Sequence, residues 1–225
     1  MRTDHLPVAR LISGERFDAP VSKVVCVGRN YAEHARELGN AVPDAPIYFI
    51  KPASSVTAME EGIRLPEGLG SVHHEAEIAI LVGDTLTAAS EEEAVMAIAA
   101  LGVGLDLTLR DVQGELKAKG HPWERAKGMD GLCPLGPFVP MAGREADLGD
   151  LHIRMAVNGE IRQAGSSAHM IFPIATLLAD MSRYFTLYPG DVVLTGTPAG
   201  VGPLVSGDQI ELVLENWVTV CASVR

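Results

Sequence analysis

The chain has 225 residues, 47% of them hydrophobic, so it is long enough to bury a substantial core. Its 29 acidic and 18 basic side chains give a formal net charge of −11, which argues against nucleic acid as a partner. The longest nearly apolar stretch, 94–105, is shorter than the roughly 18 residues of a membrane helix, and the first residues carry charges where a secretory signal would be apolar. We therefore expect a soluble, cytoplasmic protein.

The domain organisation follows from length and from the absence of internal boundaries in the sequence. No repeat, low-complexity tract or linker divides the chain, and about one and a half typical domains fit into this length. We expect residues 1–20 to form a short appendage and residues 21–225 a single domain. Cys26, Cys133 and Cys221 lie far apart without a CxxC spacing, which favours reduced thiols over disulfides or a zinc site.

Strands are predicted throughout the first part of this domain. Two apolar runs, 23–27 and 47–50, have the character of buried strands. Residues 75–82 alternate with a period of two, which also predicts a strand. One face of that strand is apolar, whereas the other begins with Glu75 and Glu77.

Two helices are predicted in the middle of the chain. Ser90 and Glu93 have the spacing of a capping box, and the apolar repeat that follows predicts a helix that continues to Gly102. Thr108 is placed to cap a second helix that ends near Lys119. The second helix carries polar side chains along one face.

The second half of the chain returns to strands. Asn158 and Gly159 form the dipeptide that best indicates a two-residue hairpin, here between 151–157 and 160–163. Pro173 is suited to begin a helix. Three further strands are predicted after it, at 191–194, 209–214 and 217–224. Because strands dominate and helices do not alternate regularly with them, we predict an α+β fold with a large, mostly antiparallel or mixed β core.

Three acidic residues form a candidate metal site. Glu75 and Glu77 lie two apart on a strand and so project to one side, where two buried carboxylates would repel unless a cation held them. Asp106 ends an apolar run, which is an unusual place for a solvated acid. Three oxygen ligands favour Mg²⁺ or Mn²⁺ over zinc.

Two alternatives to this metal site stay open. An E-x-E pair can also lie on an exposed strand face without any ligand. His73 and His74 could join a carboxylate in an iron site, but adjacent strand residues point to opposite faces, so at most one could join the glutamates. We interpret the two histidines as packing or supporting groups.

The segment GRNYAEHARELG predicts a short helix that could close over a substrate. Asn30 and Glu33 resemble a capping pair, and Gly39 can end the helix. His34 and Glu37 are three apart and face the same way, which suits a general base oriented by a carboxylate. A surface helix whose His and Glu merely pair explains the same residues.

Two lysines and one loop are candidates for substrate contacts. Lys51 and Lys127 lie next to apolar or turn-rich sequence and could bind an anion or donate a proton, although surface lysines are the default interpretation. The stretch LTGTPAGVGP offers backbone amides and Thr197 as a nest for a carboxylate. A plain strand-to-turn transition explains its glycines almost as well.

Several motifs in order resemble those of the fumarylacetoacetate hydrolase family. They cover residues 20–225 and are GRNYAEHARELGN, FIKP, HHEAEIAILVG, LDLTLRDVQ, WERAKGMDGLCPLG, VNGEIRQ and PGDVVLTGTPAGVGP. The resemblance is to its small branch, which contains acylpyruvases, oxaloacetate decarboxylases or tautomerases, and isomerases and decarboxylases of ring-cleavage pathways.

This resemblance implies a β-rich, sandwich-like roll with a few peripheral helices, a homodimer, and one catalytic site per chain. It implies that Glu75, Glu77 and Asp106 hold one Mg²⁺ or Mn²⁺ and that His34 and Glu37 form a catalytic dyad. The residues implied to contact the oxoacid are Arg110, Gln113, Lys127 and Thr197, with Lys51 as a weaker candidate. The larger namesake enzymes supply a fourth carboxylate ligand on the strand before the lid, which is the short helix that carries His34 and Glu37. This chain has Val27 on that strand.

The function implied is catalysis on small 2-oxo acids through an enolate stabilised by the cation. The reactions are hydrolysis of acylpyruvates and decarboxylation or tautomerisation of oxaloacetate. An isomerase or decarboxylase of hydroxymuconate-type diacids is the alternative, and a metal-binding relic without catalysis is a further one. Because such substrates are anions and the chain is acidic, we expect the site to be a locally cationic exception.

Overall fold

The computed structural model describes residues 6–37, 39–142 and 148–225, and most of the regular structure is strand. The strands are β1 (Val8–Arg10), β2 (Arg16–Pro20), β3 (Lys23–Gly28), β4 (Ile47–Pro52), β5 (Val56–Ala58), β6 (Val72–His74), β7 (Ala76–Val82), β8 (Ile98–Leu105), β9 (Thr108–Leu109), β10 (Cys133–Pro140), β11 (His152–Val157), β12 (Glu160–Ser166), β13 (Val192–Leu194), β14 (Gly202–Pro203), β15 (Gln209–Leu214) and β16 (Val218–Ser223). The helices are α1 (Ala32–Glu37), α2 (Glu91–Met96), α3 (Arg110–Ala118), α4 (Glu124–Lys127) and α5 (Ile174–Met181).

A mixed sheet with the order β4-β3-β13-β7-β8-β10-β5 forms the centre of the described fold. Strand β13 runs parallel to β3 and antiparallel to β7, and β10 runs parallel to β5. A second, antiparallel sheet has the order β12-β11-β15-β16, and a small sheet has the order β14-β6-β9. One continuous apolar core contains residues of both larger sheets, such as Ile78 and Leu212. The predicted α+β fold with a mixed β core is confirmed.

The prediction of a helix from Ser90 to Gly102 is wrong in its second half. The capping box of Ser90 and Glu93 is present, but α2 ends at Met96 and β8 begins at Ile98. Strand β8 is covered on both faces, so its sequence is apolar without the alternation of a half-exposed strand. A Cβ at Gly102 would lie 2.8 Å from the ring of Phe138, so that glycine permits close packing instead of ending a helix.

The prediction that Thr108 caps the second helix is also wrong. Thr108 lies in β9, and its hydroxyl lies 3.0 Å from the carbonyl oxygen of Asp106 and 3.2 Å from Oε1 of Glu75. Helix α3 begins two residues later, at Arg110, and Leu109 precedes it without a side-chain cap. The threonine hydroxyl therefore binds the acidic cluster and does not cap the helix.

The other predicted elements are present, whereas β5, β6, β10 and β14 have no prediction from the sequence. The hairpin β11–β12 turns at Asn158 and Gly159, whose positive φ values of 53° and 81° fit a type I′ turn. Helix α5 begins directly after Pro173. Residues 6–20 contain the β1–β2 hairpin, which touches β10 through a bridge between Leu11 and Phe138, and residues 1–5 of the predicted appendage lie outside the described residues. Among the described helices, none has the length and apolar character to span a bilayer.

Candidate active site

Two neighbouring strands bring the three predicted acidic residues together. Glu75 precedes β7, Glu77 lies within it, and Asp106 directly follows β8. Strands β7 and β8 are antiparallel, and the N–H of Asp106 donates to the carbonyl of Glu75 over 2.9 Å. One carboxylate oxygen of each residue lies within 4.8 Å of the others, and all three side chains are buried.

Three cationic side chains surround these carboxylates. Lys127 Nζ lies 2.8 Å from Glu75 Oε2 and 2.5 Å from Asp106 Oδ2, at the end of α4. Arg110 Nη2, at the start of α3, lies 2.6 Å from Glu75 Oε1. Lys51 Nζ lies 2.8 Å from Asp106 Oδ1. Three negative and three positive groups thus make the cluster close to neutral by formal charge.

The protonation preferences differ sharply between the two glutamates. Burial alone would raise the pKa of Glu75, but the charges of Lys127 and Arg110 outweigh it and hold that pKa well below its usual range. Burial and the negative charges of Asp106 and Glu75 raise the pKa of Glu77 well above its usual range. Glu77 instead accepts a hydrogen bond of 2.6 Å from the N–H of Gly196. Of the two glutamates, Glu77 is therefore the one whose ionised form a bound cation would stabilise more.

The donor set fits a hard divalent cation. Lys51 donates to three carbonyl oxygens, so Oδ1 of Asp106 has an ion-pair contact but no hydrogen bond within the described residues. Glu77 has no ion pair among the described residues. Its carboxylate and the buried Asp106 Oδ1, which accepts no hydrogen bond there, are suitable ligands for Mg²⁺ or Mn²⁺. Glu75 supplies the third oxygen. Val27 lines the same cavity at the place where the resemblance predicted a missing fourth carboxylate.

Helix α1 places the predicted dyad at the edge of this cluster. His34 Nδ1 lies 3.2 Å from Glu37 Oε2, and the imidazole is buried. Glu37 also accepts from the N–H of Gly200, over 3.0 Å and 3.2 Å to its two oxygens. The glutamate thus orients the ring so that Nε2 is free of this contact. Of the predicted lid, Leu38 lies outside the described residues.

The predicted capping pair at the start of this helix is wrong. Asn30 instead bonds across the fold: its Nδ2 donates to the carbonyls of Phe172 and Thr195, and its Oδ1 accepts from the N–H of Phe172. These long-range bonds fix the base of α1 to the residues that precede α5 and to the loop after β13. An asparagine before a helix could not reveal this from local spacing.

A small cavity that is open to solvent lies over the cluster. Most of the predicted site residues line it, namely His34, Glu75, Glu77, Asp106, Arg110, Gln113, Lys127 and Thr197. Arg110 donates to Gln113 over 2.7 Å, so the two side chains form one polar wall. Glu37 reaches the cavity only through His34. Lys51 lies behind Asp106, fully buried and outside the lining.

Further lining residues carry no prediction from the sequence. Arg29 and Lys117 add positive charge at the mouth, where Lys117 Nζ donates to Asn40 over 3.0 Å. Partial burial, then the charges of Arg29 and Arg110, lower the pKa of Lys117. Lys117 lies on the polar face of α3 with Arg110; the sequence predicts this face, but it assigns no site role to the lysine. Phe49 and Trp123 supply an apolar wall, with ring centroids 5.8 Å apart.

Comparison with known proteins gives a consistent result. The model of the fumarylacetoacetate (FAA) hydrolase C-terminal family matches residues 23–225. The chain is 52% identical over 203 residues to the oxaloacetate tautomerase YcgM of Escherichia coli strain K12, and the match covers 90% of this chain and 93% of that protein.

Two solved structures share the fold. A fumarylpyruvate hydrolase from Pseudomonas aeruginosa, in complex with Mn²⁺ and pyruvate, superposes with a TM-score of 0.91 at 32% identity, over 100% of this chain and 97% of that one. A 5-carboxymethyl-2-hydroxymuconate delta-isomerase from Mycobacterium smegmatis superposes with a TM-score of 0.80 at 37% identity, over 95% of this chain and 83% of that one.

Proposed function

This chain belongs to the fumarylacetoacetate hydrolase family, and on that basis we propose that it is a divalent-cation-dependent enzyme of small 2-oxo acids, whose principal reaction is the keto–enol tautomerisation of oxaloacetate. The observation that carries this proposal is the buried cluster of Glu75, Glu77 and Asp106 beneath a cavity lined by basic groups. The similarity to an oxaloacetate tautomerase over 90% of the chain favours that substrate.

Charge supports a dicarboxylic substrate. The three carboxylates and the three cations nearly cancel, so a bound divalent ion would leave about two positive charges beside the cavity. A dianion such as oxaloacetate would neutralise them. Arg29 and Lys117 at the mouth would attract the same anion. This local excess of positive charge would attract an anionic substrate to a protein whose formal net charge is −11.

The chain's own residues supply binding and proton transfer. A bound Mg²⁺ or Mn²⁺ would act as a Lewis acid that withdraws electron density from the 2-oxo group and so acidifies the neighbouring carbon. Arg110 and Lys127 are placed to bind carboxylate oxygens of the substrate. His34, oriented by Glu37 at 3.2 Å, is placed to take a proton from that carbon through Nε2 while the 2-oxo oxygen gains one, and the reverse transfer converts the enol to the ketone. Tautomerisation needs only these proton steps.

Hydrolysis of an acylpyruvate is the second candidate. It is favoured by the similarity to a fumarylpyruvate hydrolase and by the dyad, since an imidazole held by a carboxylate can also activate water. Water would then attack the distal carbonyl carbon, the carbon–carbon bond would break, and the leaving pyruvate enolate would take up a proton. Both reactions develop negative charge on the same oxygen, so one site can serve both.

The decay of the ultraviolet absorbance of enolic oxaloacetate tests the tautomerase proposal. Wild-type protein with Mg²⁺ should accelerate the decay, and chelation by EDTA should abolish the acceleration. Glu77→Gln should reduce it at least tenfold, because it removes a carboxylate from a cluster whose intact donor set holds the cation. Glu92→Gln, on the exposed side of α2, is the matched control and should have no effect.

Parallel assays separate the two candidate reactions. Acetylpyruvate cleavage is followed by the loss of its enol absorbance, and oxaloacetate decarboxylation by released carbon dioxide. Faster metal-dependent turnover of acetylpyruvate than of enolic oxaloacetate would make hydrolysis the principal reaction. Absence of metal-dependent turnover of either substrate would refute the proposal. Glu37→Gln should lower both reactions, because each uses the imidazole that Glu37 orients.

A further inference from the structure

Gln163, in β12, connects two segments that border the active site. Its side chain is buried, with Oε1 accepting from His74 Nδ1 over 2.8 Å and from the N–H of Ala76 over 3.0 Å. Its Nε2 donates to Thr197 Oγ1 over 2.7 Å and to the carbonyl of Pro198 over 2.8 Å. The amide therefore uses its full hydrogen-bonding capacity within the described residues.

These bonds determine which hydrogen bonds the Thr197 hydroxyl donates and which it accepts. The N–H of Ala76 can only donate and the carbonyl of Pro198 can only accept, so the Gln163 amide has a single possible orientation. Thr197 Oγ1 then accepts from Gln163 and sends its own proton to the carbonyl of Ala76, 2.9 Å away. Thr197 lines the cavity, and because its proton is used within the protein, its hydroxyl can only accept a hydrogen bond from a ligand.

The same bonds hold residues 195–200, which we call the post-β13 segment. Within it, the N–H of Gly196 binds Glu77 and the N–H of Gly200 binds Glu37, so one segment supports both the candidate metal site and the dyad. It lies directly against β12, since a Cβ on Gly200 would fall 1.9 Å from the carbonyl oxygen of Arg162. The Gln163 amide joins β12 to the post-β13 segment through its hydrogen bonds to Thr197 and Pro198.

We propose that Gln163 is a positioning residue, which holds the post-β13 segment in the one arrangement that orients Glu77 and Glu37 and presents the Thr197 hydroxyl as a hydrogen-bond acceptor. The part that concerns the metal ligand is independent of the reaction. The part that concerns Thr197 rests on the proposed function, and it deepens that function: this wall of the cavity takes a ligand oxygen that carries a hydrogen, such as an enol hydroxyl, instead of a carboxylate oxygen.

Calorimetric titration with Mn²⁺ alone tests the first part without any substrate. Gln163→Met keeps the length of the side chain and removes its hydrogen bonds, and it should weaken Mn²⁺ binding about tenfold, as is typical when a group that orients a metal ligand is lost. Gln209→Met, on the exposed side of β15, is the matched control and should bind Mn²⁺ as the wild type does. Unchanged affinity in a folded Gln163→Met protein would overturn this part.

A second variant covers the case in which Gln163→Met does not fold. Gln163→Glu keeps the shape and the acceptor for Ala76 but removes both donors to the post-β13 segment, and it should weaken Mn²⁺ binding in the same direction. Wild-type Mn²⁺ affinity in Gln163→Glu would contradict the proposal equally.

A double-mutant cycle with oxaloacetate at saturating Mg²⁺ tests whether Gln163 acts through Thr197. Thr197→Val removes the hydroxyl at constant volume and should lower kcat about tenfold, as should Gln163→Met. If Gln163 acts in part through Thr197, the double variant should lose clearly less than the hundredfold product of the two single losses. Multiplying effects would overturn the coupling. Thr197→Ser, which keeps the hydroxyl that Thr197→Val lacks, should retain most of the wild-type activity.

Two small ligands test the acceptor role directly. Glycolate carries a hydroxyl hydrogen, whereas oxalate, of similar size, has none when fully ionised. Thr197→Val should weaken binding of glycolate several-fold more than binding of oxalate, measured by calorimetry with Mg²⁺ present. Equal losses would refute the assignment of Thr197 as an acceptor. If the wild-type protein turns over no oxo acid, the proposed function fails while the Mn²⁺ result still decides the role of Gln163.

Discussion

Replacing Lys51 by methionine tests how the acidic cluster is held in the apolar interior. Its ammonium group donates to the carbonyls of Leu107, Lys127 and Leu132 over 3.1, 2.5 and 2.8 Å and forms an ion pair with Asp106 over 2.8 Å. Methionine fills nearly the same space but leaves all four oxygens without this partner. Removing one partner of a buried ion pair costs about 3–5 kcal/mol of unfolding free energy. We expect Lys51→Met to lose an amount in this range.

Urea unfolding of the metal-free protein measures this loss. With a slope of about 2–3 kcal/mol per molar urea, the midpoint should fall by about 1–2.5 M. Lys119→Met, an exposed lysine at the end of α3, is the matched control and should stay within about 0.5 kcal/mol of the wild type. A midpoint shift for Lys51→Met as small as that of the control would refute the reasoning, because it would mean that water replaces the ammonium group at no cost.

The other predictions concern a glycine, a thiol and the metal. Gly200→Ala should destabilise the protein by more than about 3 kcal/mol in thermal or urea unfolding, whereas Gly207→Ala, with a similar φ of +100° but no atom within 4 Å of the new Cβ, should lose only about 1–2 kcal/mol; equal losses would contradict the clash with β12. An aromatic disulfide reagent should label one thiol per native chain, the exposed Cys221, and labelling of Cys133, whose pKa burial raises to about 12, should require unfolding. Mg²⁺ or Mn²⁺ at a hundred times its dissociation constant should stabilise the wild type by about 2.7 kcal/mol and raise its melting temperature, and Glu77→Gln should abolish most of that shift; no shift in the wild type would contradict a metal site.

The acidic cluster could be predicted because its signals are local. A spacing of two on a strand places Glu75 and Glu77 on one side, and an acid at the end of an apolar run stands out in any sequence. Their convergence with Asp106 depends only on one antiparallel pairing, between β7 and β8. The hairpin at Asn158 was predictable for the same reason, since its turn is specified by two adjacent residues.

The roles of Lys51 and Gln163 depend on contacts that sequence spacing does not encode. Lys51 bonds to residues 56 to 81 positions away, and Gln163 bonds to Ala76, 87 positions away. The helix predicted after Ser90 extends into β8 because a strand buried on both faces lacks the period of two that identifies strands. Arg29, with a φ of 60° between β3 and α1, has no local pattern that would place it at the cavity.

The position of β13 in the central sheet has a consequence for folding. This strand fills the gap between β3 and β7, yet its residues lie about 168 positions after those of β3. Until residue 194 has been synthesised, the facing edges of β3 and β7 have no strand to pair with, and the backbone groups that will anchor Glu77 and Glu37 do not yet exist. A topology with such distant pairings folds slowly. We expect the nascent chain to depend on protection of these two edges from aggregation until almost its whole length has emerged from the ribosome.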